Sequence, residues 1–236
     1  MRLRGIGKRM SYLRLGSEYH KPRFWSNLVL RDIGSCFEGR ILNCSGWADE
    51  DKFGGHYREY FPRATEYAIS NHRGGPQTGM YSKLPDSIPL DLEKDLPTEL
   101  VGRFDVVLSH TVLEHVFDVR KAVENLCIIA TDCVICVVPF LQVVHVAPGD
   151  YDDYWRFTPY ALDRLFGAHG FFPAFRTGTD IPGGSIYYLG VLAREPNRYV
   201  ARFGPLRPIQ EIPDGSDMYY ISVRMRRIVR YLLGIP

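Results

Sequence analysis

Short apolar runs alternate along the chain with polar segments rich in glycine and proline, and most of these runs have the character of buried strands. The clearest run, residues 104–108, is apolar apart from Asp105 and contains two β-branched valines, as expected of a strand covered on both faces of a parallel sheet. We expect it to be a central strand. Further strands are predicted at 41–46, 65–70, 90–93, 134–140, 171–181 and 185–195.

Apolar residues at helical spacing fill several of the intervals between these strands. They predict a helix over 24–37, a short helix over 56–61, and two longer helices that begin after caps at Asp118 and Thr158. A Pro-Gly-Gly hairpin signal at 182–184 joins the last two strands. The pattern therefore predicts an α/β fold with a Rossmann-like, mostly parallel seven-stranded sheet, helices on both faces and a C-terminal antiparallel hairpin.

The length and composition of the chain suit one globular domain, with 236 residues of which 45% are hydrophobic and 24% charged. We place this domain at 25–195, after a basic N-terminal extension, 1–24. A C-terminal extension, 196–236, ends in a basic segment that could form an amphipathic helix. The N-terminal extension could be a solvated arm, a surface helix or a membrane-facing patch, with the arm favoured. The C-terminal segment could contact an anionic membrane or a partner, or pack on the domain itself.

The charge balance and the hydropathy pattern exclude several classes of protein. A net charge of +2 gives no reason to expect nucleic acid as a partner. No apolar run approaches the roughly 18 residues needed to span a membrane, and no signal-peptide pattern is visible at the N-terminus. We therefore expect a soluble cytoplasmic protein, and its oligomeric state stays open.

The five cysteines are predicted to be reduced thiols. Their odd number and the size of the chain argue against a disulfide framework. Cys133 and Cys136 have CxxC spacing, but they stand inside an apolar run without a second pair, which favours core packing over metal or redox use. No metal site is predicted.

The stretch 104–116, FDVVLSHTVLEHV, carries the first family resemblance. It resembles the fourth-strand motif of class I S-adenosylmethionine-dependent methyltransferases, in which a Leu-Glu-His turn follows the strand. The resemblance implies S-adenosylmethionine as cofactor. It also implies that Ser109 and His110, at the carboxyl end of the strand, lie beside that cofactor, which is where ligands bind in open α/β sheets.

The first strand departs from the pattern of that family. The family has an acidic residue followed by Gly-x-Gly-x-Gly, because glycine lets the backbone approach the cofactor. Here only Gly46 is in place, and we expect Asn43, Ser45 and Gly46 to contact the cofactor. The acidic loop 49–51 would suit a cation. The following HYREYF, residues 56–61, resembles a subset of bacterial methyltransferases found with glycan and cell-envelope biosynthesis enzymes.

Two further cofactor contacts are implied by the resemblance at the ends of the second and third strands. The family has an acidic residue after the second strand for the ribose hydroxyls, where this chain has Asn71. Asn71 can bind a hydroxyl or can be a turn asparagine. Asp91 resembles the acidic residue beside the adenine, with Leu92 against the ring, and a capping or exposed carboxylate is the alternative.

The segment 139–171 carries the second resemblance, to Pro-Phe, a histidine a few residues on, and an Asp-Tyr-x-Arg-Phe-Thr-Pro run with a helix and Gly-Phe in the same subset. Its dense polar and aromatic side chains suit a saccharide, and the predicted substrate-binding residues are His145, Tyr151, Asp153, Tyr154 and Arg156. Arg156 could instead hold the loop by pairing with Asp152 or Asp153. Methyl transfer to a hydroxyl benefits from a general base, for which His145 comes first, followed by His110 and Asp152.

Three functions remain open from the sequence. The first is a methyltransferase acting on a small, saccharide or lipid-linked acceptor, with O-methylation favoured. The second is a catalytically inactive methyltransferase-like binding or assembly protein, suggested by the missing glycines and the absent carboxylate at position 71. The third, a nicotinamide-dependent oxidoreductase, lacks the GxGxxG motif.

Overall fold

The computed structural model describes residues 22–72, 84, 86–144, 146, 151–179, 186–212, 228 and 232. A seven-stranded sheet runs through the molecule in the order β3-β2-β1-β4-β5-β7-β6. The strands are β1 Glu38–Cys44, β2 Arg63–Asn71, β3 Ile88–Pro89, β4 Phe104–His110, β5 Ala130–Pro139, β6 Phe172–Gly178 and β7 Tyr187–Ala193. The helices are α1 Pro22–Gly34, α2 Val119–Ile129, α3 Pro159–Gly167 and the single turn α4 Val200–Phe203. The predicted fold class is confirmed.

The sheet is parallel from β3 to β5 and antiparallel at β7 and β6. All five parallel strands therefore end at the same edge of the sheet, here named the carboxyl edge. The strand order reverses direction between β1 and β4, which is the position where open α/β sheets bind ligands.

Two apolar layers cover the sheet, because alternate side chains of each strand face opposite sides. On one side, α2 and α3 pack on strand residues such as Val107 and Val134. On the other side, α1 and the 3₁₀ turn Tyr57–Tyr60 pack on residues such as Val106 and Ile135. These two layers form the hydrophobic core, so the central strands are buried on both faces, as their apolar sequences predict.

Helix boundaries follow local sequence signals. The side chain of Asp118 accepts a hydrogen bond from the backbone N–H of Lys121, and the side chain of Thr158 accepts one from Ala161. Both predicted caps are confirmed. After α3, Gly170 has a φ of +77°, a conformation that glycine adopts without steric cost.

The structure corrects two details of the predicted elements. The third strand is not 90–93 but the two residues Ile88–Pro89, which pair with Ser70 and Asn71. The fifth strand is not 134–140 but Ala130–Pro139, which begins directly after α2. The hairpin turn predicted at 182–184 lies outside the described residues, as does most of the predicted C-terminal helix and all of the N-terminal segment 1–21.

The described part of the chain continues past the predicted end of the domain. Tyr199 is buried beside Phe37 and donates its hydroxyl proton to Asp132, and Ile212 is buried against the α2 and α3 layer.

All five cysteines are free thiols, and Cys133 and Cys136 are fully buried core residues. None of the helices in the described ranges has the length and apolar composition to cross a membrane.

Candidate functional site

The loop after β1 has an unusual backbone conformation. Ser45, Trp47 and Asp49 have φ values of 52°, 59° and 63°, in the left-handed region that favours glycine. These alternate positions have the spacing of the three glycines in Gly-x-Gly-x-Gly. The loop therefore adopts left-handed conformations at the spacing of the family motif, with other residues in place of the glycines. Gly46 does not belong to this set.

Asp49 organises the loop from within. Its side chain is almost fully buried and accepts hydrogen bonds from Asn43 Nδ2 at 2.9 Å and from the Tyr67 hydroxyl at 2.7 Å. The backbone N–H and Nε of Arg58 both donate to the other carboxylate oxygen at 3.2 Å. These bonds hold the left-handed conformation of Asp49 and stabilise its charge.

Asn43 explains why position 46 is glycine. An added Cβ at Gly46 would lie 2.5 Å from both Cγ and Nδ2 of Asn43. Gly46 donates its backbone N–H to the carbonyl of Ser70 at 3.1 Å, which ties the loop to the end of β2. Among the residues predicted to bind cofactor, Asn43, Ser45 and Gly46 thus lie together at the carboxyl edge and shape the loop.

Asn71, at the end of β2, is the next predicted cofactor contact. Its Oδ1 accepts the backbone N–H of Trp47 at 2.9 Å, and its Nδ2 donates to the carbonyl of Trp47 at 3.1 Å. Asn71 thus joins the ends of β1 and β2. Asn71 lies at the end of β2, and both polar atoms of its side-chain amide bond to the backbone of Trp47.

The aspartates of the acidic loop are paired with arginines of neighbouring elements. Asp51 is buried and pairs with Arg31 at 3.0 Å, and it accepts hydrogen bonds from the backbone N–H groups of Phe53 and Gly55. Although burial opposes ionisation of Asp51, these donors and the hydroxyl of Tyr60 lower its pKa. The sequence predicts that the negative charge of this loop would suit a cation, but the arginines Arg31 and Arg58 already balance the charges of Asp51 and Asp49.

Asp91 and Leu92 follow β3 on the far side of β2. Asp91 is part-exposed, lies 3.5 Å from Nε2 of His72, and accepts the backbone N–H of Glu93 at 2.9 Å. Leu92 is buried in the core. The structure thus places the carboxylate of Asp91 near Asn71, whose carbonyl accepts the backbone N–H of Leu90.

Ser109 and His110 lie at the end of β4, facing opposite layers. The Nε2 atom of His110 lies 2.8 Å from the hydroxyl of Ser26 in α1, and its Nδ1 lies 3.5 Å from a guanidinium nitrogen of Arg23. Burial, and then the charge of Arg23, lower the pKa of His110 well below its ordinary value. His110 is therefore a neutral, buried imidazole at the carboxyl edge.

The 3₁₀ turn Leu113–His115 joins β4 to the segment 151–157, here named the 151–157 loop. Tyr154 donates its backbone N–H to the carbonyl of Glu114 at 2.7 Å, and the ring of Tyr151 lies 4.4 Å from that of His115, centroid to centroid. The Nδ1 atom of His115 lies 2.6 Å from the carbonyl oxygen of Asp152. The two segments that carry the family resemblance are thus in direct contact.

Arg156 holds the 151–157 loop to the end of β5. Its guanidinium binds both carboxylate oxygens of Asp153 and donates to the carbonyls of Gln142 and Val143, each at 2.9 Å. Asp153 is one of the two partners that the sequence offered for Arg156. Asp152 is exposed and accepts the hydroxyl proton of Tyr154 at 3.0 Å.

Three of the seven buried side-chain polar atoms that lack a hydrogen-bond partner in the described part of the chain lie at the carboxyl edge near the switch between β1 and β4. They are Arg23 Nε, Ser109 Oγ and Glu114 Oε2. Such atoms are rare in native proteins and are commonly satisfied by a ligand or water. Their position at the switch in strand order marks this edge as the candidate site.

The sequence did not identify Arg23 or Glu114 as functional residues. Arg23 falls in the segment assigned to a basic extension, and only the packing of α1 brings it to His110. Glu114 stands inside the Leu-Glu-His motif, and only tertiary structure shows its burial. His145, predicted as the first general base and as a substrate contact, lies outside the described residues.

No family model matches the sequence, and no curated protein matches it significantly. Solved structures are similar at low identity. The methyltransferase CalH in complex with S-adenosylhomocysteine has a TM-score of 0.54 at 16% identity, over 71% of this chain and 54% of that one. An S-adenosylmethionine-dependent methyltransferase from Mesorhizobium loti has a TM-score of 0.52 at 13% identity, over 71% and 96%.

The chain has the Rossmann-like fold of class I methyltransferases. A Rhodobacter sphaeroides protein that is named as a proposed Zn-dependent alcohol dehydrogenase has a TM-score of 0.53 at 14% identity, over 78% of this chain and 94% of that one. Identities in this range show a shared fold alone. The chemistry must therefore be argued from the site itself.

Proposed function

We propose that the chain is an S-adenosylmethionine-dependent methyltransferase that methylates a hydroxyl group of a small, saccharide or lipid-linked acceptor. The observation that carries the proposal is the left-handed backbone at Ser45, Trp47 and Asp49, at the spacing of the family glycines. Left-handed non-glycine residues cost about 1 kcal/mol each and persist where the surroundings hold them, often at functional sites.

The residues at the carboxyl edge fit this cofactor, which supplies an electrophilic methyl group on a sulfonium. Arg23, with a buried Nε that has no partner among the described residues, suits the carboxylate of the methionine part. Ser109 offers a hydroxyl from the opposite layer, and Asp91 offers an acceptor for the ribose or the adenine amine, whereas Leu92 is buried in the core.

Other residues of the site shape the cofactor loop. In this proposal Asn43, Ser45, Gly46 and Asn71 set the backbone against which the cofactor packs, through the contacts that join the ends of β1 and β2. His110 fills the space between α1 and β4 as a neutral side chain. Alignment of the acceptor with the methyl group and exclusion of water then provide most of the rate enhancement.

The acceptor is proposed to bind under the 151–157 loop. Tyr151 and Tyr154 offer aromatic faces and hydroxyl groups, and the pair of Asp153 and Arg156 fixes the loop beside Glu114. This mixture suits a saccharide, in line with the resemblance to methyltransferases of glycan and cell-envelope biosynthesis. The basic ends of the chain would then hold the protein near an anionic membrane surface.

A second candidate, an inactive binding or assembly protein, is favoured by one observation. The backbone N–H groups of Ser45, Gly46 and Trp47 all donate to residues of β2, so the loop binds itself with amides that could otherwise bind cofactor. Turnover separates this candidate from the enzyme.

The proposed function is tested by incubating the protein with methyl-labelled S-adenosylmethionine and a panel of saccharides and lipid-linked saccharides. Transfer of label to an acceptor, lost in Arg23→Gln and kept in Arg63→Gln, is the expected result. Arg63 is a suitable control because it pairs with Glu38 on the surface at the opposite edge of the sheet. Cofactor binding without transfer to any acceptor would favour the inactive candidate.

A further inference from the structure

Glu114 has a buried carboxyl group in the turn that follows β4. The residue is only 4% exposed, and its Oε1 lies 3.9 Å from Nε2 of His115. Its Oε2 has no hydrogen-bond partner within the ranges that the structure describes. A buried carboxylate with one oxygen left without a partner is unfavourable as an ion, so its protonation responds to any charge that enters the site.

Several charged and titratable groups face Glu114 from the surrounding elements. They are Arg23 in α1, Cys136 in β5, Asp153 and Arg156 in the 151–157 loop, Tyr187 at the start of β7, and His115 in the same turn. Burial is the main cause that raises the pKa of Glu114 to about 8. A hydrogen bond from the backbone of Glu114 itself lowers this pKa, Asp153 raises it, and the charges of Arg23 and Arg156 lower it.

The two arginines do not neutralise Glu114 by contact. Arg156 is bound to Asp153 and to three backbone carbonyls, and the nearest partners of Arg23 are Tyr57 and His110. A carboxyl that is buried, lacks a bonded cation and lies at the carboxyl edge has the properties of an acid–base group.

We propose that Glu114 is the proton acceptor of this site: its carboxylate, ionised beside a bound sulfonium, takes the proton that the acceptor hydroxyl loses. The inference rests on the proposed function. In the step, the acceptor oxygen forms a bond to the methyl carbon, and the carbon–sulfur bond breaks with its electron pair going to sulfur. The hydroxyl proton goes to Oε2 of Glu114 and later to solvent.

The position of the 151–157 loop supports this role. Tyr154 is hydrogen-bonded to the backbone of Glu114, and the charges of Asp153 and Arg156 act on its carboxyl group, so the loop that is proposed to hold the acceptor packs against Glu114. The other candidate bases are less suited within the described residues. Burial keeps His110 a weak base, and Asp152 is exposed at the outer side of the loop.

The test measures protons released on binding, which requires no acceptor. Binding of S-adenosylmethionine and of S-adenosylhomocysteine is measured by calorimetry at pH 8, in two buffers with different ionisation enthalpies. A carboxyl with a pKa of about 8 is half protonated there. The sulfonium is therefore expected to release about half a proton more than the neutral thioether does.

Glu114→Gln is expected to bind S-adenosylhomocysteine like the wild type, which shows that it is folded, and to lose this difference. Glu124→Gln, a control on the exposed side of α2, is expected to keep it. Equal proton release by the two compounds in the wild type, or an unchanged difference in Glu114→Gln, would overturn the inference. If neither compound binds the wild type, the proposed function fails, and this inference fails with it.

Discussion

The side-chain amide of Asn71 bonds to both backbone groups of Trp47. It accepts the N–H at 2.9 Å and donates to the carbonyl at 3.1 Å. Trp47 has a left-handed backbone, so these two bonds hold the loop after β1 in its conformation. A carboxylate at position 71 could accept but not donate, which explains why the acidic residue implied by the resemblance is absent here.

Asn71→Asp is therefore expected to destabilise the protein by about 1–3 kcal/mol, because the carboxylate faces the carbonyl of Trp47 without a donor. It should also weaken binding of S-adenosylhomocysteine. Urea unfolding and calorimetry measure the two effects. A variant that keeps wild-type stability and binds the compound more tightly would show instead that position 71 acts directly on the ribose.

Ser45→Gly is expected to stabilise the protein by about 0.5–1 kcal/mol. Glycine removes the steric cost of the left-handed conformation in the folded state. This gain in free energy exceeds the cost of the greater conformational entropy that glycine gives the unfolded chain. Ser35→Gly, in the exposed turn after α1, is the matched control and should lose stability. Thermal unfolding of both variants gives the comparison, and a loss of equal size in both would contradict the assignment.

Gly46→Ala is expected to destabilise the protein by about 2–3 kcal/mol and to weaken cofactor binding, because its Cβ would displace the side chain of Asn43. That displacement removes a hydrogen bond to the buried carboxylate of Asp49. At Gly167 the nearest atom to an added Cβ is 3.9 Å away, so Gly167→Ala is the control. Equal unfolding midpoints for the two variants would contradict the close contact.

Glu114→Gln is expected to change how stability depends on pH. The pKa of Glu114 rises from 4.5 in the unfolded chain to about 8 in the fold, so the folded state holds the proton more tightly. Wild-type stability is thus full below about pH 4.5 and falls as pH rises to about 8. The variant lacks this loss.

The difference in unfolding free energy between Glu114→Gln and the wild type should therefore grow across this window, to a size on the order of 4 kcal/mol. Urea unfolding at pH 5, 7 and 9 measures it, with Glu124→Gln as the exposed control. A difference that stays constant with pH would mean that the carboxyl of Glu114 titrates alike in the folded and unfolded chain.

The sequence predicts most of the fold because buried strands and helix caps have local sequence patterns that can be recognised. Strand β4 is identified by its apolar run, and α2 and α3 by their caps at Asp118 and Thr158. The strand Ile88–Pro89 is missed because two residues, one of them proline, have no periodicity to detect.

The candidate site is less visible in the sequence, for physical reasons. A glycine motif can be read directly, but the same conformations at Ser45, Trp47 and Asp49 depend on contacts with β2 and with Asn43 and Arg58. Likewise, the burial of Glu114 depends on elements distant in the chain. The sequence therefore predicts the edge of the sheet and Ser109, but not Arg23 or Glu114, among the groups without partners along it.

Calorimetric titration of the whole protein with S-adenosylmethionine and S-adenosylhomocysteine, with NAD as control, tests the central claim most directly. We predict micromolar binding of both sulfur compounds and no binding of NAD, because the loop after β1 keeps the left-handed conformations of the family motif and Arg23 offers a buried donor. A folded protein that binds neither sulfur compound would contradict the account and leave the inactive binding protein as the better description.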